Sequence, residues 1–169
     1  MATSLPNGKA QILEWIKRNF KRGDTCLDVG AGSGTYAKLL DGYLEIDGCE
    51  IFWENIRGNE LWKIYHEIFL GDIANFDYFW FDLIIFGDVL EHMEVVKAQA
   101  VIEYAVPRCK DLIVAVPYRW PQGPVGGNEY ERHVQYDLTP ELMAKRYPKL
   151  ELLFNAGTNY AYYHKRAGY

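Results

Sequence analysis

The chain has 169 residues with a formal net charge of −5, and 49% of its residues are hydrophobic. This length predicts a single domain over residues 1–169, and the hydrophobic fraction excludes an intrinsically disordered chain. The acidic balance argues against a nucleic-acid partner, because phosphate binding depends on Lys and Arg. No apolar run reaches the length of a signal peptide or a membrane span, so we expect a cytoplasmic protein with no membrane partner.

Strand and helix patterns alternate over the first two thirds of the chain. Continuous apolar runs of five to seven residues predict buried parallel strands, and runs with apolar residues on one helical face predict the helices between them. The alternation predicts an α/β, doubly wound, Rossmann-like fold with a mostly parallel sheet. The predicted strands lie at about 25–29, 44–50, 66–70, 81–86 and 112–116, and the predicted helices at about 9–20, 34–40, 52–65 and 93–106.

The last third of the chain has a different composition. Residues 117–137 carry six Gly and Pro residues with no clear period, which is typical of a binding loop or lid. Thr139-Pro140 then predicts a helix start, because Thr is a good N-cap and Pro suits the first helical position. Residues 150–154 and 160–164 predict a hairpin at the edge of the sheet.

A glycine-rich loop follows the first predicted strand, with Gly30, Gly32 and Gly34 at alternate positions. Glycine admits backbone conformations closed to other residues and lets a ligand lie against bare main chain. The dinucleotide fingerprint needs its third glycine one place later, where Thr35 stands. The spacing therefore argues against a nicotinamide-dependent dehydrogenase.

Four predicted strands end in acidic residues, at Asp28, Glu50, Asp72 and Asp88. Because the carboxyl ends of parallel strands meet at one edge of the sheet, we expect these acids to surround a ligand. Glu50 lies 20 positions after Gly30, where a carboxylate accepts from two ribose hydroxyls in dinucleotide folds. Glu45 and Asp47 compete for that role, and the spacing favours Glu50.

The glycine loop and the Asp-Val-Leu-Glu-His segment at 88–92 together resemble class I S-adenosylmethionine (SAM)-dependent methyltransferases of the small-molecule type. The resemblance covers residues about 24–117. It implies SAM as cofactor, S-adenosylhomocysteine (SAH) as product, and a seven-stranded sheet with an antiparallel C-terminal strand. It implies that the methionine moiety is held by Asp28, Gly30, Gly32 and Gly34, the ribose by Glu50 and the adenine by Asp72 and Ile73, with Asp88 lining the pocket.

Three residues are candidates for catalysis. His92 follows the fourth strand and is placed to take a proton from an acceptor, although a structural histidine is an equal interpretation. Glu131 and His133 lie in the long loop. They are expected either to make polar contacts with an acceptor or to belong to a solvated charged loop, and the two interpretations are equally favoured. The sequence does not identify the acceptor, nor whether its oxygen or its nitrogen is methylated.

Other kinds of methyltransferase, and a protein that binds SAM without catalysis, are the alternatives to a small-molecule methyltransferase. A nucleic-acid amino-methylase would be expected to show an Asn/Asp-Pro-Pro-aromatic motif where residues 88–91 stand. The sequence shows no acid/amide metal cluster, and Cys26, Cys49 and Cys109 lie too far apart to form a metal-ligand pair, so no metal is expected. The remaining rival is a SAM-binding module without catalysis, acting as sensor or partner subunit. A homodimer is left open.

Overall fold

The computed structural model describes residues 5–166, which form one seven-stranded sheet in the order β3-β2-β1-β4-β5-β7-β6. The first five strands in this order are parallel, and β7 and β6 are antiparallel. This confirms the predicted α/β fold, including its antiparallel C-terminal hairpin. The strands are β1 (Thr25–Val29), β2 (Glu45–Glu50), β3 (Ile68–Leu70), β4 (Phe81–Gly87), β5 (Cys109–Pro117), β6 (Leu150–Asn155) and β7 (Tyr160–Lys165).

The central strands are apolar throughout because both of their faces are covered. Along β4, Leu83 and Ile85 pack into the core on one side of the sheet, and Ile84 and Phe86 pack into the core on the other. This explains why a continuous apolar run, rather than an alternating one, predicts this strand. The helices covering the faces are α1 (Lys9–Asn19), α2 (Thr35–Leu40), α3 (Trp53–Gly58), α4 (Val95–Ala105) and α5 (Pro140–Arg146).

Two element boundaries differ from the prediction. The helix predicted over 52–65 is interrupted: α3 ends at Gly58, Glu60 takes a left-handed φ of 48°, and a short 3-10 turn follows at Leu61–Lys63. The strand predicted over 112–116 is longer, because Cys109 already pairs with Phe81 of β4 despite the polar residues after it.

The helix start predicted at Thr139-Pro140 is confirmed. Thr139 caps α5, its Oγ1 accepting from the Leu142 amide at 3.2 Å. All three cysteines are buried. Among residues 5–166, none of the helices combines the length and apolarity that a bilayer span needs.

The loop over residues 117–137 is irregular but tied down at its far end. It contains a single 3-10 turn, at Glu129–Glu131. Where it returns to the sheet, the amides of Val134 and Gln135 donate to the Glu91 carbonyl at 2.8 and 2.9 Å. The Gln135 side chain donates to the carbonyls of Leu90 and Met93. These bonds hold the loop against the segment that follows β4.

Candidate functional site

A cavity of about 400 Å³ opens at the carboxyl ends of the parallel strands. It lies where β1 and β4 run side by side, the point from which the chain winds outward in both directions. Open α/β sheets bind ligands at this position. The loop over residues 117–137 contributes part of the wall, so one space connects the glycine loop to the predicted lid.

The glycine loop presents bare backbone to this cavity. Gly30 and Gly32 line it, with φ of 72° and 52° that disfavour any other residue. A Cβ on Gly30 would lie 2.7 Å from the Val89 side chain. Gly34, at φ 73°, stands outside the lining residues and begins α2, and a Cβ there would collide with Ile64. Of the three predicted glycines, Gly30 and Gly32 therefore line the cavity and Gly34 does not.

Glu50 connects the glycine loop to the end of β2. Its carboxylate is buried on the cavity wall, where Oε2 accepts from the Gly32 amide and Oε1 from the Phe52 amide, each at 2.8 Å. The two bonds fix the carboxylate in place and leave further lone pairs for a ligand. The competing acids Glu45 and Asp47 lie beside the exposed His66 and do not line the cavity.

Asp28 is buried under the glycine loop rather than on the cavity wall. The Tyr65 hydroxyl donates to its Oδ2 at 2.6 Å, and Oδ1 has no hydrogen-bond partner among the described residues. Burial raises the pKa of Asp28 to about 7, although the Tyr65 bond and the nearby Lys9 act in the opposite direction. A positive charge bound at the glycine loop would therefore favour the ionised form of the Asp28 carboxyl.

Asp72 and Ile73 line the cavity beyond β3. The Asp72 carboxylate already has two partners, since Oδ1 accepts from the Ala74 amide at 3.0 Å and Oδ2 pairs with the Lys97 ammonium. A ligand donor that approached from the cavity would share this carboxylate with Lys97. Nothing in the local sequence indicates this pair, because the two residues are 25 positions apart.

Asp88 lines the cavity directly after β4. Its φ of 60° is left-handed, which costs free energy in a residue other than glycine and recurs at active sites. Its Oδ2 accepts from the Tyr160 hydroxyl at 2.9 Å and from the Leu5 amide at 3.3 Å. These bonds join the site to β7 and to the chain before α1.

On the β4 and β5 side of the cavity, the structure brings together Glu91, His92 and His133. The two imidazoles meet edge to face with 4.7 Å between ring centroids. Burial lowers the pKa of His92 to about 4, with the neighbouring His133 adding to the effect, and burial also lowers the pKa of His133. Both rings are therefore neutral at pH 7 and each offers one nitrogen lone pair.

Glu91 is only 1% exposed, yet neither carboxylate oxygen has a hydrogen-bond partner among residues 5–166. Burial, and then the nearby Asp88, raise the pKa of this carboxyl. Where the sequence showed no metal-ligand cluster, the fold places one donor atom from each of Glu91, His92 and His133 within 4.8 Å of the others.

The third catalytic candidate, Glu131, is half-buried and also lines the cavity. Its Oε1 accepts from the Asn128 side chain at 3.4 Å, and its carbonyl accepts from Gln122 at 2.8 Å. The ring of its neighbour Tyr130, which also lines the cavity, lies 6.5 Å from the ring of Phe52, two residues after β2. The loop thus reaches from β5 to the β2 side of the site.

No protein-family model matches the chain, and no curated protein matches it. Solved structures match its fold. An S-adenosylmethionine-dependent methyltransferase from Clostridium acetobutylicum superposes with a TM-score of 0.72 at 15% identity, covering 95% of this chain and 91% of that one. The N-terminal domain of EvdMO1 with SAH bound gives 0.69 at 16%, covering 97% and 82%. The N-methyltransferase NodS from Bradyrhizobium japonicum gives 0.67 at 14%, covering 94% and 93%. The chain therefore has the Rossmann-like fold of these methyltransferases.

Proposed function

We propose that this protein transfers a methyl group from SAM to the oxygen or nitrogen of a small-molecule acceptor. The observation that carries the proposal is the Glu50 carboxylate, held by the Gly32 and Phe52 amides on the wall of the cavity. A buried carboxylate with free lone pairs beside a glycine loop suits a ligand with a vicinal diol and a zwitterionic tail. The solved structures of similar fold, one with SAH bound, support the same ligand.

The lining residues suit the parts of SAM in order. Gly30 and Gly32 allow the methionine moiety to lie against the backbone, and the buried Asp28 beneath them favours its positive charge. Glu50 accepts from the ribose hydroxyls. Asp72 and Ile73 meet the adenine, with Lys97 sharing the Asp72 carboxylate, and Asp88 contributes negative charge near the centre of the cavity.

Bound SAM supplies an activated methyl group on a sulfonium centre. The protein's own contribution is to hold the acceptor in line with that group at close approach, which by itself lowers the barrier substantially. An acceptor hydroxyl on the β4 and β5 side meets His92 and His133, and the free ring nitrogen of one of them accepts its proton. Glu131 and the Tyr130 side chain close the cavity from the loop and limit water there.

The acceptor is proposed to be a small molecule because the cavity volume and the loop leave little room for a polymer. The residues on the β4 and β5 side of the cavity indicate the chemical class of the acceptor. It carries a hydroxyl or an amine that comes within reach of the two imidazoles. The exposed Trp120 at the cavity edge offers an aromatic face for a ring or a sugar.

The test combines binding and turnover. Calorimetric titration with SAM and SAH should show one site per chain, and methyl-labelled SAM should transfer label to at least one member of a panel of hydroxyl, amine and acid acceptors. Binding without transfer to any acceptor would favour the rival, a SAM-binding module. Absence of binding to either ligand would contradict both.

A further inference from the structure

The cluster of Glu91, His92 and His133 contains a buried carboxyl group that has no hydrogen-bond partner among the described residues. A carboxylate that is almost fully buried normally has a hydrogen-bond or ionic partner. Glu91 has none at either oxygen among the described residues, while it faces two imidazoles across the cavity wall. A cation bound where the three side chains converge would give this carboxylate the partner that the protein does not supply.

The backbone orients both imidazoles for a ligand. His133 Nδ1 lies 2.6 Å from the Trp120 carbonyl, and His92 Nδ1 lies 3.2 Å from the Arg132 carbonyl. A carbonyl oxygen only accepts, so each Nδ1 carries the proton and each Nε2 keeps its lone pair. Metal-binding histidines are held in this way, with the second ring nitrogen donating to a carbonyl or carboxylate.

We infer that Glu91, His92 and His133 bind a divalent transition-metal ion through one carboxylate oxygen and the two Nε2 atoms. Metal–nitrogen and metal–oxygen bonds of about 2.1 Å require donor atoms about 3.4 Å apart in tetrahedral geometry. One ligand atom from each of the three residues lies within 4.8 Å of the others, so small side-chain rotations bring the donors into range. Two imidazoles with one carboxylate suit zinc, iron, cobalt or nickel better than magnesium or calcium, which prefer oxygen ligands.

Three protein ligands leave coordination positions open, and all three residues line the cavity. Here the inference rests on the proposed function: an acceptor oxygen would occupy an open position. The metal would use the imidazole lone pairs, so coordination rather than proton transfer to a histidine would activate the acceptor hydroxyl. Metal binding itself does not depend on SAM and is tested without it.

The experiment uses Co²⁺ as probe, because its visible absorption reports coordination by the protein. The full chain is stripped with a chelator, dialysed and titrated with Co²⁺ by absorption and calorimetry. We expect one site per chain that excess Mg²⁺ does not displace. Glu91→Gln and His133→Ala should each weaken Co²⁺ binding by about 100-fold or more, since even loss of an outer-shell partner costs 10- to 100-fold.

His66→Ala is the matched control. His66 also lies beside two carboxylates, with its ring nitrogens 3.6 Å from Glu45 and 3.1 Å from Asp47, but it is exposed and remote from the cavity. Its loss should leave Co²⁺ affinity within twofold or so of the wild type. Loss of binding in His66→Ala, or wild-type binding in Glu91→Gln, would overturn the inference, as would absence of Co²⁺ binding by the wild type.

Folding is checked separately. Glu91→Gln keeps the size and shape of the side chain, so near-UV circular dichroism of the stripped variant should match that of the stripped wild type. If His133→Ala does not fold, Glu91→Gln and His92→Ala decide the matter. SAH affinity is measured on the same stripped protein: SAH binding without Co²⁺ binding would refute the metal site alone, and Co²⁺ binding without SAH binding would refute the proposed function alone.

Discussion

Replacing Glu50 by Ala should sharply weaken binding of SAH. The carboxylate has about four lone-pair sites, and two accept from the Gly32 and Phe52 amides, which leaves about one for each ribose hydroxyl. A hydrogen bond to a charged group contributes about 1.5–3 kcal/mol. Loss of one of these two bonds predicts a 10- to 150-fold higher Kd, at about 1.4 kcal/mol per tenfold, so loss of the diol contacts should raise Kd by at least that factor.

The substitution also leaves two backbone amides without their acceptor, which disturbs the glycine loop whatever the ligand. A double-mutant cycle separates the two effects. SAH and its 2′,3′-dideoxy analogue are titrated calorimetrically into wild type and Glu50→Ala. Wild type should prefer SAH by one to two decades, and Glu50→Ala should bind the two ligands about equally.

Glu45→Ala serves as the control, because it removes an equal charge from the opposite, exposed end of the same strand. Its affinity for SAH should be unchanged. The reasoning would be refuted if Glu50→Ala bound SAH like the wild type, or if it still preferred SAH over the dideoxy analogue by the wild-type margin.

Three further predictions concern the loop, the buried acid and the lid. Gly32→Val should abolish SAH binding in a folded protein, because the new side chain would occupy space at the cavity wall. The control is Gly42→Val, at a similarly left-handed φ of 65° but in open space, which should lower stability and leave SAH binding unchanged. Calorimetry measures binding and circular dichroism measures folding, and full binding by Gly32→Val would contradict the cavity role. The pKa of Asp28 is raised in the folded protein from 3.8 to about 7, so the stability that this group contributes is full below about pH 4 and is lost as pH rises to about 7. In ligand-free urea titrations, Asp28→Asn should therefore become more stable relative to wild type across this window, by about 4 kcal/mol in total at about 1.4 kcal/mol per pH unit. A pH-independent difference would refute this. His133→Ala should leave SAM affinity within a few-fold but lower methyl transfer to an identified acceptor; unchanged transfer would remove His133 from the proposed chemistry.

The sequence by itself determined the strands, the glycine loop and the position of Glu50 at the end of β2. The run at Phe81–Gly87 is apolar because both faces of a central strand are covered. The composition of this short segment is therefore enough to predict a buried strand. Gly30 and Gly32 are predictable because only glycine adopts their left-handed φ without strain. Glu50 follows from its spacing to the loop, because two neighbouring parallel strands end at the same edge.

Only the tertiary structure decided which side chains share a space. Tyr65 reaches Asp28 across 37 positions, and the break in the helix predicted over 52–65 is what places it there. His133 meets Glu91 because the long loop returns to the carbonyl of that same residue. Such contacts depend on where a loop returns and on how much water is excluded, and these are long-range properties that spacing along the chain does not encode.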